Sequence, residues 1–118
     1  INCVKEKLIY DTKEFTVRQG QKVILTFKNT DHPQHNLFVV KPGSADKVAQ
    51  MALLLGADGP AKKYRPDTDL ILWGTDLLDH GGMEVLEFTA PAPGDYPYVC
   101  TFPGHAILMR GVMHVVAE

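Results

Sequence analysis

Apolar and polar side chains alternate in short runs along most of this chain. Val23, Leu25 and Phe27 are separated by Ile24, Thr26 and Lys28, a period of two with one drier face, which predicts a half-buried strand. Residues 84–89 repeat the pattern, with Leu86 and Phe88 opposite Val85, Glu87 and Thr89. Leu37-Phe38-Val39-Val40, residues 95–100 and residues 111–116 give further strands, and Leu8 to Tyr10 with Phe15 to Val17 read as one interrupted strand. Gly20, Asn29-Thr30-Asp31, Gly81-Gly82 and Pro91-Ala92-Pro93-Gly94 supply the turns between them. Short strands at this spacing predict an all-β chain, a β-sandwich or Greek-key barrel.

One segment, residues 44–69, breaks the alternation. After Pro42-Gly43, Ser44 is placed to cap a helix with Val48, Met51, Ala52 and Leu55 on one face, and Gly56 stops it. Residues 57–69 are polar and rich in Pro and Gly, so they read as a flap. The expected architecture is therefore a sandwich with one helix-and-flap insertion, and 118 residues suffice for a single domain over 1–118 with its own core.

The chemistry concentrates near the C-terminal end, in Cys100-Thr101-Phe102-Pro103-Gly104-His105-Ala106-Ile107-Leu108-Met109. A thiol and an imidazole this close can hold one metal ion, and the thioether follows one helical turn after the His. A second imidazole is available upstream in Gln34-His35-Asn36. Strand parity tests whether these meet. If Leu37 and Val39 point into the core, so does His35, while Tyr98 and Cys100 share a face. Both strands then deliver a ligand to the same pole. Two His, one Cys and a weak axial Met form the ligand set of blue-copper electron-transfer sites.

The run Cys-Thr-Phe-Pro-Gly-His, followed by Leu-Met and a basic residue before Gly111, resembles the copper loop of azurins. His35-Asn36 opening a hydrophobic strand is similar to the azurin segment that supplies the first ligand, and auracyanins share both elements. The likeness covers nearly the whole chain: Tyr10-Asp11, Gly20-Gln21-Lys22-Val23, the helical insert and the closing strand follow in the same order. It implies a cupredoxin fold and one type 1 copper ion held by His35, Cys100, His105 and Met109. It further implies that the Asn36 and Phe102 N–H groups face the Cys100 sulfur, and that the Asn36 side chain ties the ligand loops together. Pro103 has no N–H to add there. Azurins carry Gly where this chain has Gln34, so a weak fifth contact from the Gln34 carbonyl stays open.

Composition removes several other functions. A hydrophobic fraction of 45% and a charged fraction of 22% are ordinary for a globular chain, and a net charge of -2 gives no support for nucleic-acid binding. No run of 18 apolar residues exists to span a bilayer. The start at Ile1, without Met or signal peptide, reads as a mature exported protein or an excised domain. Cys3 has no partner near residues 21–29, where azurins place a disulfide. It is read as a buried free thiol, with a Cys3–Cys100 disulfide as the weaker alternative. His32 and His80 fall in turns, His114 on the solvent parity of its strand, and Trp73 reads as a packing residue below the flap.

The expected function is a monomeric electron carrier that cycles Cu(I)/Cu(II), with redox partners such as c-type cytochromes and a periplasmic or otherwise extracytoplasmic location. Docking is expected at an apolar patch of Pro33, Phe102, Pro103, Gly104 and Ile107 around His105. Catalysis is disfavoured because the ligand set leaves no open position for substrate. A copper-storage role is disfavoured because Met51, Met83, Met109 and Met113 are scattered. An azurin-like module of a larger oxidoreductase or cytochrome c fusion stays as the alternative.

Overall fold

β4 (Lys22–Lys28) and β7 (Met83–Thr89) realise the alternation most directly. They pair antiparallel along their full length, with Val23 opposite Phe88 and Leu25 opposite Leu86. Those four side chains and Phe27 are buried, and each such burial contributes about 1.5–3 kcal/mol. Ile24, Met83 and Val85 occupy the outer face and are exposed. The computed structural model describes residues 1–4, 9–102, 105 and 109–117.

The opposing sheet has five strands. These are β3 (Glu14–Arg18), β5 (Phe38–Val40), β6 (Ile71–Gly74), β8 (Gly94–Val99) and β9 (Arg110–Val116), in the order β3-β9-β8-β5-β6. β3 runs parallel to β9, and the other neighbours are antiparallel. A short pair, β1 (Cys3–Val4) with β2 (Ile9–Tyr10), completes the strands. Leu37, just before β5, and Val39, Tyr96, Tyr98, Met113 and Val115 of the larger sheet meet Val23, Leu25, Phe27, Leu86 and Phe88 of the smaller one in a single core.

β5 is buried on both faces, which explains its continuous apolar run. Val39 enters the main core. Phe38 and Val40 pack with Ile71, Val99 and the α1 (Ala45–Leu53) residues Ala45 and Val48. The helix thus covers the outer face of the sheet. It buries Ala45, Val48, Ala49 and Ala52, while Met51 and Leu55 are only half-buried. Ser44 sits at the N-cap position without a side-chain cap bond.

Two expectations about the strands change. Residues 9–10 and 14–18 are not one interrupted strand: the first pairs with β1, and the second lies in the five-stranded sheet beside β9. Leu8 of that expected strand lies outside the described residues. β6 was not expected, since Ile71-Leu72-Trp73-Gly74 is too short to show a period. It forms because β5 offers it an edge, with Val39 opposite Trp73. Trp73 stacks on Phe88 of the other sheet, ring centroids 4.0 Å apart. Cys3 and Cys100 are both free and buried.

Gly111 is required by a close approach. Tyr98 lies opposite it in the β8–β9 pair, and a Cβ there would meet the Tyr98 ring at 2.3 Å. The Tyr98 hydroxyl donates to the Thr12 carbonyl at 2.5 Å, so the ring is tethered at its far end. Gly111→Ala is expected to destabilise the fold by about 1–3 kcal/mol through overpacking, read as a lower urea midpoint with unchanged slope.

Candidate metal centre

Two loops at one pole of the sandwich carry the chemistry. The first runs from β4 to β5 and is organised by Asn29, which is fully buried. Its amide donates to the carbonyls of Pro33 (2.9 Å) and Leu78 (2.8 Å), and its Oδ1 accepts the Asp31 N–H at 2.9 Å. His35 exchanges two backbone hydrogen bonds with Leu78, at 3.1 and 2.8 Å. The Asn36 carbonyl accepts the hydroxyl of buried Tyr10 at 2.7 Å. The ring of His35 therefore leaves a backbone held from both sides.

The second loop joins β8 to β9 and closes on itself. Cys100 N–H donates to the Met109 carbonyl at 3.0 Å, His105 N–H to the Phe102 carbonyl at 3.0 Å, and Met109 N–H to the His105 carbonyl at 2.8 Å. The two loops are then clasped together. Asn36 Nδ2 donates to Thr101 Oγ1 at 2.9 Å while Thr101 N–H donates to Asn36 Oδ1 at 2.8 Å. Thr101 Oγ1 donates onward to the Tyr64 carbonyl at 2.6 Å, which anchors the flap.

The clasp brings three donor atoms face to face. His35 Nδ1 and His105 Nδ1 are 3.1 Å apart, and Cys100 Sγ is 3.7 Å from each. A point equidistant from three atoms so spaced lies about 2.0 Å from each, within the range of metal–imidazole bonds. His35 and Cys100 are fully buried, and His105 is 6% exposed. The donor set is also chemically right, a thiolate with two imidazoles suiting copper.

Electrostatics keeps these groups uncharged until an ion arrives. Burial pushes the Cys100 thiol up to about 11, against the opposing pull of the Asn36 and Phe102 N–H groups. Burial, helped by His35, pulls His105 down to about 4. Burial also lowers His35, opposed by Asp31. Asp31 Oδ2 lies 3.0 Å from His35 Nε2 with both side chains essentially inaccessible. A carboxylate only accepts, so Nε2 carries the proton and the Nδ1 lone pair points at the cluster.

The other expected residues are distributed around this triangle. Met109 is fully buried in the same apolar cluster as Cys100. Gln34 turns its amide outward to Asp79 Oδ1, 2.8 Å away. Phe102 is half-buried, its ring 4.7 Å from that of His105 and 5.1 Å from that of Tyr64. Pro33 is half-buried. Pro103, Gly104 and Ile107 lie outside the described residues. His32 and His80 are exposed and stack on each other at 5.1 Å, and His114 pairs with Asp95 and Glu14 on the sheet surface. Among the described residues, His35, Cys100 and His105 form the one metal-capable group of His, Cys or acidic side chains.

Asp31, Thr101 and Tyr64 escaped the sequence reading. The signal for Asp31 was a carboxylate four residues before a ligand His, but in Asn-Thr-Asp-His-Pro it reads only as a turn.

Known proteins share this sequence and fold. Residues 1–116 match the copper-binding proteins of the plastocyanin/azurin family. The chain belongs to that family. It is similar to auracyanin-A of Chloroflexus aurantiacus, 41% identical over 112 residues, covering 93% of this chain and 68% of that protein. Similarity to auracyanin-B of the same organism is 30%, over 98% of this chain and half of that protein. The structure of a dithionite-reduced auracyanin from Roseiflexus castenholzii superposes with a TM-score of 0.88 at 42% identity, covering 98% of this chain and 93% of that one. The fold is thus the cupredoxin fold, and the His35–Cys100–His105 cluster is the centre for a single copper ion in a blue copper electron-transfer protein.

At neutral pH the metal-free cupredoxin holds Cys100 protonated and both imidazoles neutral, so metal entry must expel the thiol proton. About one proton per metal ion should be released at pH 7, and apparent affinity should rise about tenfold per pH unit through neutrality. Towards pH 4, His105 protonation adds a second competing proton and steepens the loss. Titration of apo-protein in weak buffer with pH recording checks this. Release of no proton would mean that the thiol is already ionised.

Proposed function

We infer that His35 Nδ1, His105 Nδ1 and Cys100 Sγ are the strong copper donors and that Met109 is the weak fourth. The triangle of donor atoms about 2.0 Å from a common point carries this reading. The Gln34 carbonyl, next to His35 in the chain, is the candidate for a further weak contact. Copper supplies a one-electron couple there. The chain holds the donors in one geometry, shields them from water, and gives the thiolate hydrogen bonds from the Asn36 and Phe102 N–H groups.

A carrier rather than a catalyst is the reading favoured by burial. With Cys100 and His35 inaccessible and Phe102 beside the His105 ring, the described residues leave no open position for a substrate. Partners are redox proteins such as c-type cytochromes, engaged transiently by a monomer. Contact falls at the pole, around the nearly buried edge of His105, with half-buried Pro33 and Phe102 among its residues. Pro103, Gly104 and Ile107, the rest of that expected patch, lie outside the described residues. The working compartment is periplasmic or otherwise extracytoplasmic, as suits an auracyanin-like protein. Among the described residues, no helix is long and apolar enough to cross a membrane.

A visible spectrum of the copper-loaded protein tests the assignment. An intense thiolate-to-Cu(II) charge-transfer band is expected, and Cys100→Ser should abolish it. A mutant that keeps the band would remove Cys100 from the metal. Met109→Leu separates a weak donor from core filler. The blue band should survive while the reduction potential rises, because a donor favouring Cu(II) is lost. A lower potential or a failure to bind copper would contradict that role.

A further inference from the structure

Asp31 is a buried carboxylate with an unusual post. It is 0% exposed and ends 3.0 Å from the outer nitrogen of His35. Its other oxygen accepts the His32 N–H at 2.9 Å, so both carboxylate oxygens face N–H donors. An ionised carboxylate accepts both contacts. The Asp31 backbone is equally fixed: its N–H bonds Asn29 Oδ1 at 2.9 Å, and its carbonyl lies 3.0 Å from His80 Nδ1. His80 is stacked on His32, so the pair of rings closes over the segment that carries the carboxylate.

Placing a carboxylate in a dry core costs several kcal/mol unless its bonds are satisfied, and a turn would form as well with a neutral Asn or Ser. Its contact with His35 gives it a role that a neutral residue would not fill. A carboxylate on the outer nitrogen of a metal-bound imidazole fixes the tautomer and ring orientation and makes the inner nitrogen a stronger donor. His105 is set differently. Its neighbours are the rings of Phe102 and His35.

We propose that Asp31 is a positioning residue for the copper centre: through His35 it forms a carboxylate–imidazole–copper chain that holds Nδ1 on the ion and shifts the couple towards Cu(II). The inference rests on the assignment of His35 as a copper ligand. Negative charge and a more basic imidazole both favour the more positive ion, so their effects on the potential have the same sign. His32, stacked with His80 outside, is then part of the support for Asp31 rather than a separate site.

The test uses Asp31→Asn in the full chain, with Asp95→Asn on the exposed surface of β8 as a charge control. An amide oxygen can serve either His35 or the His32 N–H, but not both, and carries no charge. Asp31→Asn should keep the blue band and shift the Cu(I)/Cu(II) preference at least tenfold towards Cu(I), which for one electron is about 59 mV upward. Asp95→Asn should leave the potential in place. A retained band with an unchanged Asp31→Asn potential would overturn the proposal.

Should Asp31→Asn not fold, the unmutated Cu(I) protein decides by long-range proton–nitrogen NMR. A His35 Nε2–H signal protected from solvent exchange supports the chain, and a ring lacking that proton, or exchanging it freely, overturns it. Copper binding without a blue band in the unmutated protein would remove the ligand assignment, and this inference with it. An intact band with a null Asp31→Asn result removes this inference alone.

Discussion

The clasp between Asn36 and Thr101 is the interaction on which the site depends. Three groups that prefer to point at water are held within 3.7 Å of one another in the dry end of a sandwich. They come from segments 65 and 70 residues apart in sequence, so no local preference aligns them. The paired hydrogen bonds at 2.9 and 2.8 Å do so instead, and each is buried where it has no water to compete with. Removing either partner would leave a buried side-chain amide or the Thr101 N–H unsatisfied as well as freeing the loops.

Everything outside the clasp stiffens it. Tyr10 reaches from β2 to the Asn36 carbonyl, Leu78 pins the backbone of His35, and Met109 caps the N–H of Cys100 with its carbonyl. Tyr64 contributes from the flap through its carbonyl, using a left-handed backbone at φ 56, with Lys63 beside it at φ 55. Two consecutive non-glycine residues in that region are costly, and such strain persists only where surrounding contacts hold it. Here the Thr101 bond and the Tyr64–Phe102 ring contact do so. A site built this way changes little on gaining or losing an electron, because its donors have nowhere else to go.

The strands and the three-donor cluster were legible in the sequence for separate reasons. Alternation in residues 22–28 and 84–89 was visible because one face of that sheet meets water. The Cys100–His105 pair was visible because donor spacing within one loop is a local property. What stayed hidden was non-local. β6 exists only as an edge laid against β5, and Val39 opposite Trp73 has no sequence signature. The break between residues 10 and 14 follows from partner choice, β1 for one segment and β9 for the next. Asp31 looked like a turn former because its contact with the His35 imidazole is made in a turn that any Asx residue would start.

The two imidazoles end up differently employed, and that asymmetry orders the pole. His35 is fully buried, its backbone bridged to Leu78 and its outer nitrogen given to Asp31. Nothing can reach it without dismantling the loop. His105 retains 6% exposure, and its ring is flanked by Phe102, which in turn meets Tyr64 at the half-buried base of the flap. In the function proposed above, electronic coupling to a docked partner falls steeply with distance, so His105, with its outward edge, would serve as the port and His35, with its buried carboxylate, as the anchor. The same separation explains why a charge can be tolerated beside one imidazole. Placed behind His35, it acts on the ion through the ring while staying on the side remote from the His105 edge.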